Sequence, residues 1–305
     1  MRILLVLWFM TRVALAREPA IWDQFVAPRS QAEANRVSGQ LNQLYLAEVQ
    51  RLARPQWWAK EVAQRCRQNL QEISSQGLAP PPDARRFVQE YAAEQQRLAL
   101  LYPRCTSEIR LQTGETAGWD LPERSFRLTF DDGPKPANTG RVLALLRANR
   151  KPAIFFVLGK RLQEAAGALP DYQGFLLGNH SFDHSNLPTL NPQQLAKQLS
   201  QTEAAAAQAG LVLTRLWRAP YGARAARELK AAENLGLHSV LWNVDSQDWQ
   251  PFMQSQPGRI ARRTLALMLL HRRGIVLMHD IHSQTPAELA LLLNYLQPLN
   301  FTIVP

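Results

Sequence analysis

The sequence predicts an α/β fold preceded by a helical region, on two observations. From about residue 122 onward, short β-branched or aromatic runs alternate with helical stretches, the pattern of a parallel sheet that is either open or closed into a barrel. Before that point, apolar residues recur at helical intervals. In parallel α/β folds the working residues collect at the carboxyl ends of the strands, so candidate functional groups are sought there.

The chain of 305 residues, 46% hydrophobic and 8% aromatic, has the composition of a soluble globular protein and room for one sizeable domain plus an appendage. Residues 1–16 read as a secretory signal. Arg2 is followed by an apolar stretch over 3–10, and Ala14-Leu15-Ala16 stands before Arg17, with cleavage expected after Ala16. Arg12 interrupts the stretch and argues against a permanent anchor, and no later segment approaches the roughly 20 apolar residues a membrane helix needs. The mature chain is therefore expected to be exported, periplasmic or secreted, with no stable membrane span.

Residues 17–121 form the helical region, whose role the sequence does not assign. Leu41, Leu44, Tyr45, Val49 and Leu52 fall at helical intervals within 31–74, and Pro55 breaks the run. After the turn signal APPPD, an amphipathic helix over 84–101 carries Phe87, Tyr91 and Leu98 on one face. Trp57-Trp58 fit a small core better than a sugar-stacking platform, burial being the commoner use of aromatics. The only cysteines, Cys66 and Cys105, are expected to pair in an oxidising compartment. Such a bond closes a loop of about 40 residues and contributes roughly 4 kcal/mol in the chain-entropy model.

Residues 122–305 carry the alternation. Strands are expected at 125–130, 153–158, 216–218, 239–244, 275–278 and 301–304, with helices such as 141–148, 193–209 and 260–270 between them. Asp131 and Asp132 end the first strand, and Gly133-Pro134 turns the chain. Two adjacent carboxylates repel, and a metal ion relieves that repulsion. His180 and His184 in GNHSFDH supply further ligands: on a helical turn, residues four apart face the same way and can converge on one ion. With one carboxylate they make a His-His-Asp site that leaves coordination positions open for water and substrate. Arg218 and Tyr221 in WRAPYG, Asp245, Asp248 and Trp249 in VDSQDW, and His279 and Asp280 in IVLMHD add polar groups at three more strand ends. Singly each has an ordinary structural reading; together they mark the C-terminal face of one sheet or barrel. His238, His271 and the loop residue His282 are expected to be structural or exposed.

The motifs TFDDGP, HSFDH, RAPYG, DSQDW and LMH, in that order, resemble the five motifs of the polysaccharide deacetylases of carbohydrate esterase family 4, the NodB homology domain. The resemblance spans 122–305 and says nothing about 17–121. It implies a distorted, incomplete (β/α) barrel and metal-dependent removal of acetyl groups from N-acetylated sugars, some members acting on acetylated xylan. Matched by position, it implies Asp131 as general base, held by Arg218. Asp132, His180 and His184 are implied as ligands of one divalent ion, zinc ahead of cobalt, nickel or manganese. His279 is implied as general acid, oriented by Asp245, and the backbone amide of Tyr221 as an oxyanion donor. Trp249 and Leu277 are implied as walls of the acetyl slot. Asp183 stands where members vary and takes no role. The absence of a GxSxG elbow agrees with chemistry that needs no protein nucleophile.

Lys+Arg 35 against Asp+Glu 25 gives +10, and loss of Arg2 and Arg12 with the signal leaves 33 against 25, or +8. With an export signal and no nucleic-acid motif, the expected partner is an acidic, acetylated amino-sugar polymer of the cell envelope, peptidoglycan first, and not nucleic acid. An acetylxylan or other O-acetyl esterase is the alternative within the fold. A non-catalytic envelope carbohydrate-binding protein is the alternative outside enzymology.

Overall fold

The computed structural model describes residues 25–51, 57–73, 82–101 and 114–305. The expected signal segment, Leu52, Pro55 and Cys105 lie outside the described residues, as do the side chains of Trp57, Trp58 and Leu98. Among the described residues, no helix is long and apolar enough to cross a membrane.

Three N-terminal helices, α1 (Gln31–Arg51), α2 (Trp57–Glu72) and α3 (Pro82–Leu101), precede the alternating part. There follow β1 (Ser125–Asp131), α4 (Pro136–Ala148), β2 (Ile154–Val157), α5 (Gly159–Glu164), β3 (Leu176–Asn179), α6 (Pro192–Gln208), β4 (Leu216–Trp217), α7 (Ala226–Asn234) and β5 (His238–Ser239). The chain closes with β6 (Val244–Asp245), α8 (Pro251–Gln254), α9 (Arg259–His271), β7 (Gly274–His279), α10 (Thr285–Leu296) and β8 (Thr302–Ile303). The third strand is marked in the sequence only by the motif that follows it and has no expected range, because its sequence, LLGN, holds no β-branched or aromatic residue.

All strand pairs are parallel, in the order β5-β4-β3-β2-β1-β7-β6, with β8 beside the start of β1. The edge strands β5 and β6 are neighbours in sequence, joined only by residues 240–243. Six flat steps of ~4.8 Å would set those edges about 29 Å apart, whereas the five residue steps from Ser239 to Val244 reach about 18 Å at most. The sheet must curl, and it does so as an incomplete (β/α) barrel. The run 239–244, expected as one strand, is thus two short strands at opposite edges, and the residues between them span the gap between those edges. The carbonyls of Val240 and Leu241 accept from the Arg218 guanidinium.

Alternation along the strands sorts the two faces. Phe126, Leu128 and Phe130 of β1, Phe155 and Val157 of β2, and Val276 and Met278 of β7 pack outward into the main core under the helices. Ile154, Phe156 and Ile275 fill the inside of the curl with Val240. The inward register also carries Thr129, Asp131, Leu277 and His279, because Thr129 pairs with Leu277 and Asp131 with His279.

The N-terminal helices are fastened to the end of α9, which is buried along nearly its whole length. The last carbonyls of a helix have no intrahelical donors. Here Asn42 Nδ2 and Asn69 Nδ2 donate to the Leu270 carbonyl at 3.0 and 3.1 Å, and Ser38 Oγ donates to that of Leu269. His271, structural as expected, meets the Tyr91 hydroxyl at 2.9 Å, and burial pushes its imidazole down to about 3. Cys66 is buried, which pushes its thiol up to about 12, and has no disulfide partner among the described residues; Cys105, its expected partner, lies outside them.

Candidate active site

Strand alternation would send adjacent carboxylates to opposite faces. Asp131 is the last residue of β1 and points inward; Asp132 has φ 73°, in the left-handed region, which ends the alternation and returns its side chain to the same mouth. The next residue must be glycine: a Cβ on Gly133 would lie 2.4 Å from the buried Asp280 carboxylate.

His180 follows β3, and His184 follows a bend that is not the helical turn the spacing suggested. Ser181 and His184 both take positive φ, 72° and 64°. Side chains hold this bend, since the Phe182 and Asp183 amides donate to Gln198 Oε1 on α6 and the His184 amide donates to Ser181 Oγ. Helix α6 is itself fixed by a capping box between Asn191 and Gln194, with Leu195 and Leu199 in a small core beside Trp217.

Donor atoms of Asp132, His180 and His184 all lie within 4.8 Å of one another. Asp132 Oδ1 stands 3.4 Å from His180 Nε2 and 3.3 Å from His184 Nε2, and is buried with no hydrogen-bond partner. His180 Nδ1 donates to the Arg218 carbonyl at 2.8 Å, which leaves the Nε2 lone pair facing Asp132. Burial, reinforced by His180, pushes His184 down to about 4, so its ring is neutral and able to coordinate near neutral pH. Burial raises the Asp132 carboxyl, but the imidazoles of His180, His279 and His184 outweigh it and hold the group well below the usual carboxylate range. An orphaned buried carboxylate oxygen beside two imidazole lone pairs fits a divalent cation.

Asp131 is occupied differently. Its Oδ1 accepts from Arg218 Nη1 at 2.6 Å, while Oδ2 lies 3.6 Å from His180 Nε2. Arg218 is fully buried, lies 4.2 Å above the Phe156 ring, and donates also to Thr129 Oγ1. Burial lowers its pKa and the Asp131 charge opposes that.

On the strand beside β1, His279 ends β7 and pairs in register with Asp131. Its orienting carboxylate is Asp248, not Asp245: Nδ1 meets Asp248 Oδ1 at 2.7 Å, and the His279 amide donates to Asp248 Oδ2 at 2.7 Å. Asp245, at the end of β6, instead accepts from the Gln247 amide at 2.8 Å and so closes the turn that presents Asp248. Burial would lower the His279 pKa, but the Asp248 charge and hydrogen bond, with Asp132 and Asp131 behind them, raise it to about 10.

Leu277 lies on the inward face two residues before His279 and is buried. Trp249 and Tyr221 stand at the rim with 39% and 61% of their surface exposed. Tyr221 occupies a 3-10 turn with φ 60°, its ring 4.4 Å from that of His184. Arg224, absent from the sequence reading, donates to the Gly222 carbonyl in that turn and is clamped by Glu115 through two bonds of 2.8 and 2.6 Å. Asp183 stays outside the cluster, accepting from Ser185. The carboxylate partner Asp248 was legible only as one of two acids in DSQDW; position alone did not separate them. Thr129 could have been found by counting back two from Asp131.

The polysaccharide deacetylase family model matches residues 119–240. The peptidoglycan-N-acetylglucosamine deacetylase PgdA of Listeria monocytogenes is 35% identical over 184 residues, covering 59% of this chain and 38% of that protein. This chain therefore spans well under half the length of that relative. A chitooligosaccharide deacetylase of Azorhizobium caulinodans is 31% identical over 204 residues, covering 63% of this chain and 97% of that protein. The solved structure of the peptidoglycan deacetylase PdaC from Bacillus subtilis superposes with a TM-score of 0.52 at 28% identity, covering 61% of this chain and 90% of that one.

Proposed function

Because the chain belongs to the polysaccharide deacetylase family, we propose that it is a metal-dependent hydrolase that removes N-acetyl groups from N-acetylglucosamine-containing polysaccharide of the cell envelope. The observation that carries the reading is the constellation at the strand ends. A two-imidazole, one-carboxylate cluster shares the strand ends with an Arg-held carboxylate and a carboxylate-held imidazole.

Asp132, His180 and His184 would hold one divalent cation, zinc by the donor set, which supplies Lewis-acid polarisation of the acetyl carbonyl and activation of water. Asp131, fixed by Arg218, acts as general base and takes the proton of the attacking water. The Tyr221 amide donates to the oxygen that gains charge. His279, turned by Asp248, gives its proton to the departing sugar nitrogen, so acetate leaves and a free amine remains. Leu277 and Trp249 wall the acetyl methyl and keep bulk water from it. Asp245 serves the turn and not the proton transfer.

Peptidoglycan is the first substrate, supported by the export signal, the basic mature chain and the named activities of the Listeria and Bacillus relatives. Chitooligosaccharide is the second reading, supported by the alignment that spans 97% of the Azorhizobium protein. Acetate and free amine, measured on peptidoglycan, chitooligosaccharides and acetylated xylan, test both. Amine release from peptidoglycan is expected to be fastest, and fast acetate release from xylan with no new amine would overturn the amidase reading. Export also supplies the oxidising conditions in which Cys66 and Cys105 would pair; two free thiols per chain under denaturing, non-reducing conditions refute that bond.

A further inference from the structure

The last helix of the N-terminal region reaches the turn that presents the candidate acid. Glu94, on α3, accepts from Gln247 Nε2 at 2.7 Å and pairs with Arg263 at 3.1 Å. Both partners act on the DSQDW segment. Gln247 lies inside it, and Arg263 Nε donates to the Asp245 carbonyl at 3.0 Å. Gln247 has φ 55°, a conformation that costs energy for an L side chain, and its side chain is buried. A turn of that kind persists only where its surroundings over-determine it. One residue on, Asp248 takes both the amide and the Nδ1 of His279, so an error in the turn passes directly to the imidazole. Thr285 and Gln254 hold Asp248 from the domain's own side, through its Oδ2 and its carbonyl. From the opposite side, the bonds to Glu94 come from an element outside the family match, which begins at residue 119.

We propose that Glu94 is a positioning residue for the general acid. The N-terminal helical region, through one carboxylate bonded to Gln247 and Arg263, clamps the strained DSQDW turn and thereby sets Asp248 and His279. The effect on turnover rests on the deacetylase reading; the effect on the turn rests on the geometry alone.

The test uses the full-length, metal-loaded protein with Glu94→Ala, Glu94→Gln and Gln247→Ala. Turnover of a chitooligosaccharide, bound metal, and amide hydrogen exchange of residues 245–249 and 279 are followed together. Since a displacement of the order of an ångström can cost up to about 10²-fold, Glu94→Ala is expected to lower kcat about tenfold with KM within about twofold. Bound metal stays unchanged, and exchange quickens at 245–249 and 279 but not at 125–131. Glu94→Gln keeps an acceptor for the Gln247 side-chain amide and retains most of the rate, while Gln247→Ala breaks the same bond but leaves the Glu94–Arg263 pair, and so covers the case in which Glu94→Ala fails to fold. The pair Glu94→Ala with Gln247→Ala loses less than the two separate losses combined, as residues in one network do. Unchanged exchange in every variant overturns the proposal whatever happens to turnover, and so does faster exchange with full kcat. If the wild-type protein releases acetate from no substrate, the deacetylase reading fails and the exchange result alone decides whether Glu94 holds the turn.

Discussion

Two ion pairs stand beside the ligand cluster, one buried and one part-buried, and they are built the opposite way round. In one, the carboxylate of Asp131 faces the mouth and the Arg218 guanidinium stands behind it. In the other, the His279 imidazole faces the mouth and the Asp248 carboxylate stands behind. The same attraction therefore does two jobs. A guanidinium behind a carboxylate fixes it in place to take a proton, while a carboxylate behind an imidazole keeps the ring charged and able to give one. Asp132, the neighbour of Asp131, belongs to neither pair, and its orphaned oxygen is what separates ligand from base in a doublet of identical residues.

The largest effects come from breaking the front members. Asp131→Asn and His279→Ala are expected to keep the metal and to lose turnover by roughly 10² to 10⁴, the usual contribution of a positioned base or acid. Asp132→Asn is expected to lose the metal instead, with added metal restoring part of the activity. Bound metal and acetate release on the three variants check this, and the roles are reversed if Asp131→Asn is the one that loses the ion.

Breaking the rear member of the acid pair has a smaller effect with a definite sign. The folded pKa of His279, about 10, lies above its ordinary value of about 6.5. The pair's contribution to stability is thus complete below about 6.5 and is lost as pH rises through the folded pKa. The acid is competent over the same range, so activity fails on the alkaline side. A cation at Asp132 opposes the rise, which puts the alkaline limb of the loaded enzyme below 10. Asp248→Asn removes the charge that raises the pKa, so the limb moves to lower pH and kcat at neutral pH falls by about 10- to 10²-fold. A pH–rate profile with an unmoved alkaline limb would show that Asp248 does not govern His279.

Much of this was legible in the sequence, and the exceptions have physical causes. Asp131 and His279, the front members of both pairs, stood at predicted strand ends, where period two fixes which way the last residues of a strand face; Asp132, His180 and His184 were legible instead from the carboxylate doublet and the histidine spacing. The HSFDH bend was misread as helical, since two histidines four apart converge equally well on a helix or on a bend with two left-handed residues, and spacing does not distinguish them. The run 239–244 split into two strands because the curl of a sheet is a long-range property that no local pattern records. The bonds of Glu94 to the DSQDW turn join residues about 150 positions apart, and nothing near either one announces the other.

The bend offers the next comparison, between ligands set by a strand and ligands set by side chains. Asp132 follows directly from β1, whereas His184 depends on Gln198 through the Phe182 and Asp183 amides. Gln198→Leu keeps the volume on α6 but leaves those amides without their acceptor. It is expected to weaken metal binding by roughly 10- to 100-fold, the usual effect of losing a partner that orients a ligand. Metal titration of the apo protein measures this, and unchanged affinity would mean that the backbone alone holds the bend.

The smallest expected effect is the one that decides between the two acids of DSQDW. If Asp248 is the partner of His279, Asp245 matters for its Oδ1, which accepts from the Gln247 amide, and not for its charge. Burial raises the Asp245 pKa to about 6, so its negative charge is already disfavoured where it stands. Asp245→Asn preserves the accepting oxygen and removes only that charge. Its kcat is therefore expected to stay within about threefold of the wild type, far from the 10² or more that loss of a positioned proton donor costs. The alkaline limb should move far less than in Asp248→Asn, because Asp245 acts on the ring only through a weak charge interaction and its removal leaves the His279–Asp248 bond intact. The sequence-based assignment makes the contrary prediction, with Asp245→Asn moving the limb down and Asp248→Asn leaving it. The two profiles, recorded side by side on one substrate, tell which carboxylate stands behind the imidazole.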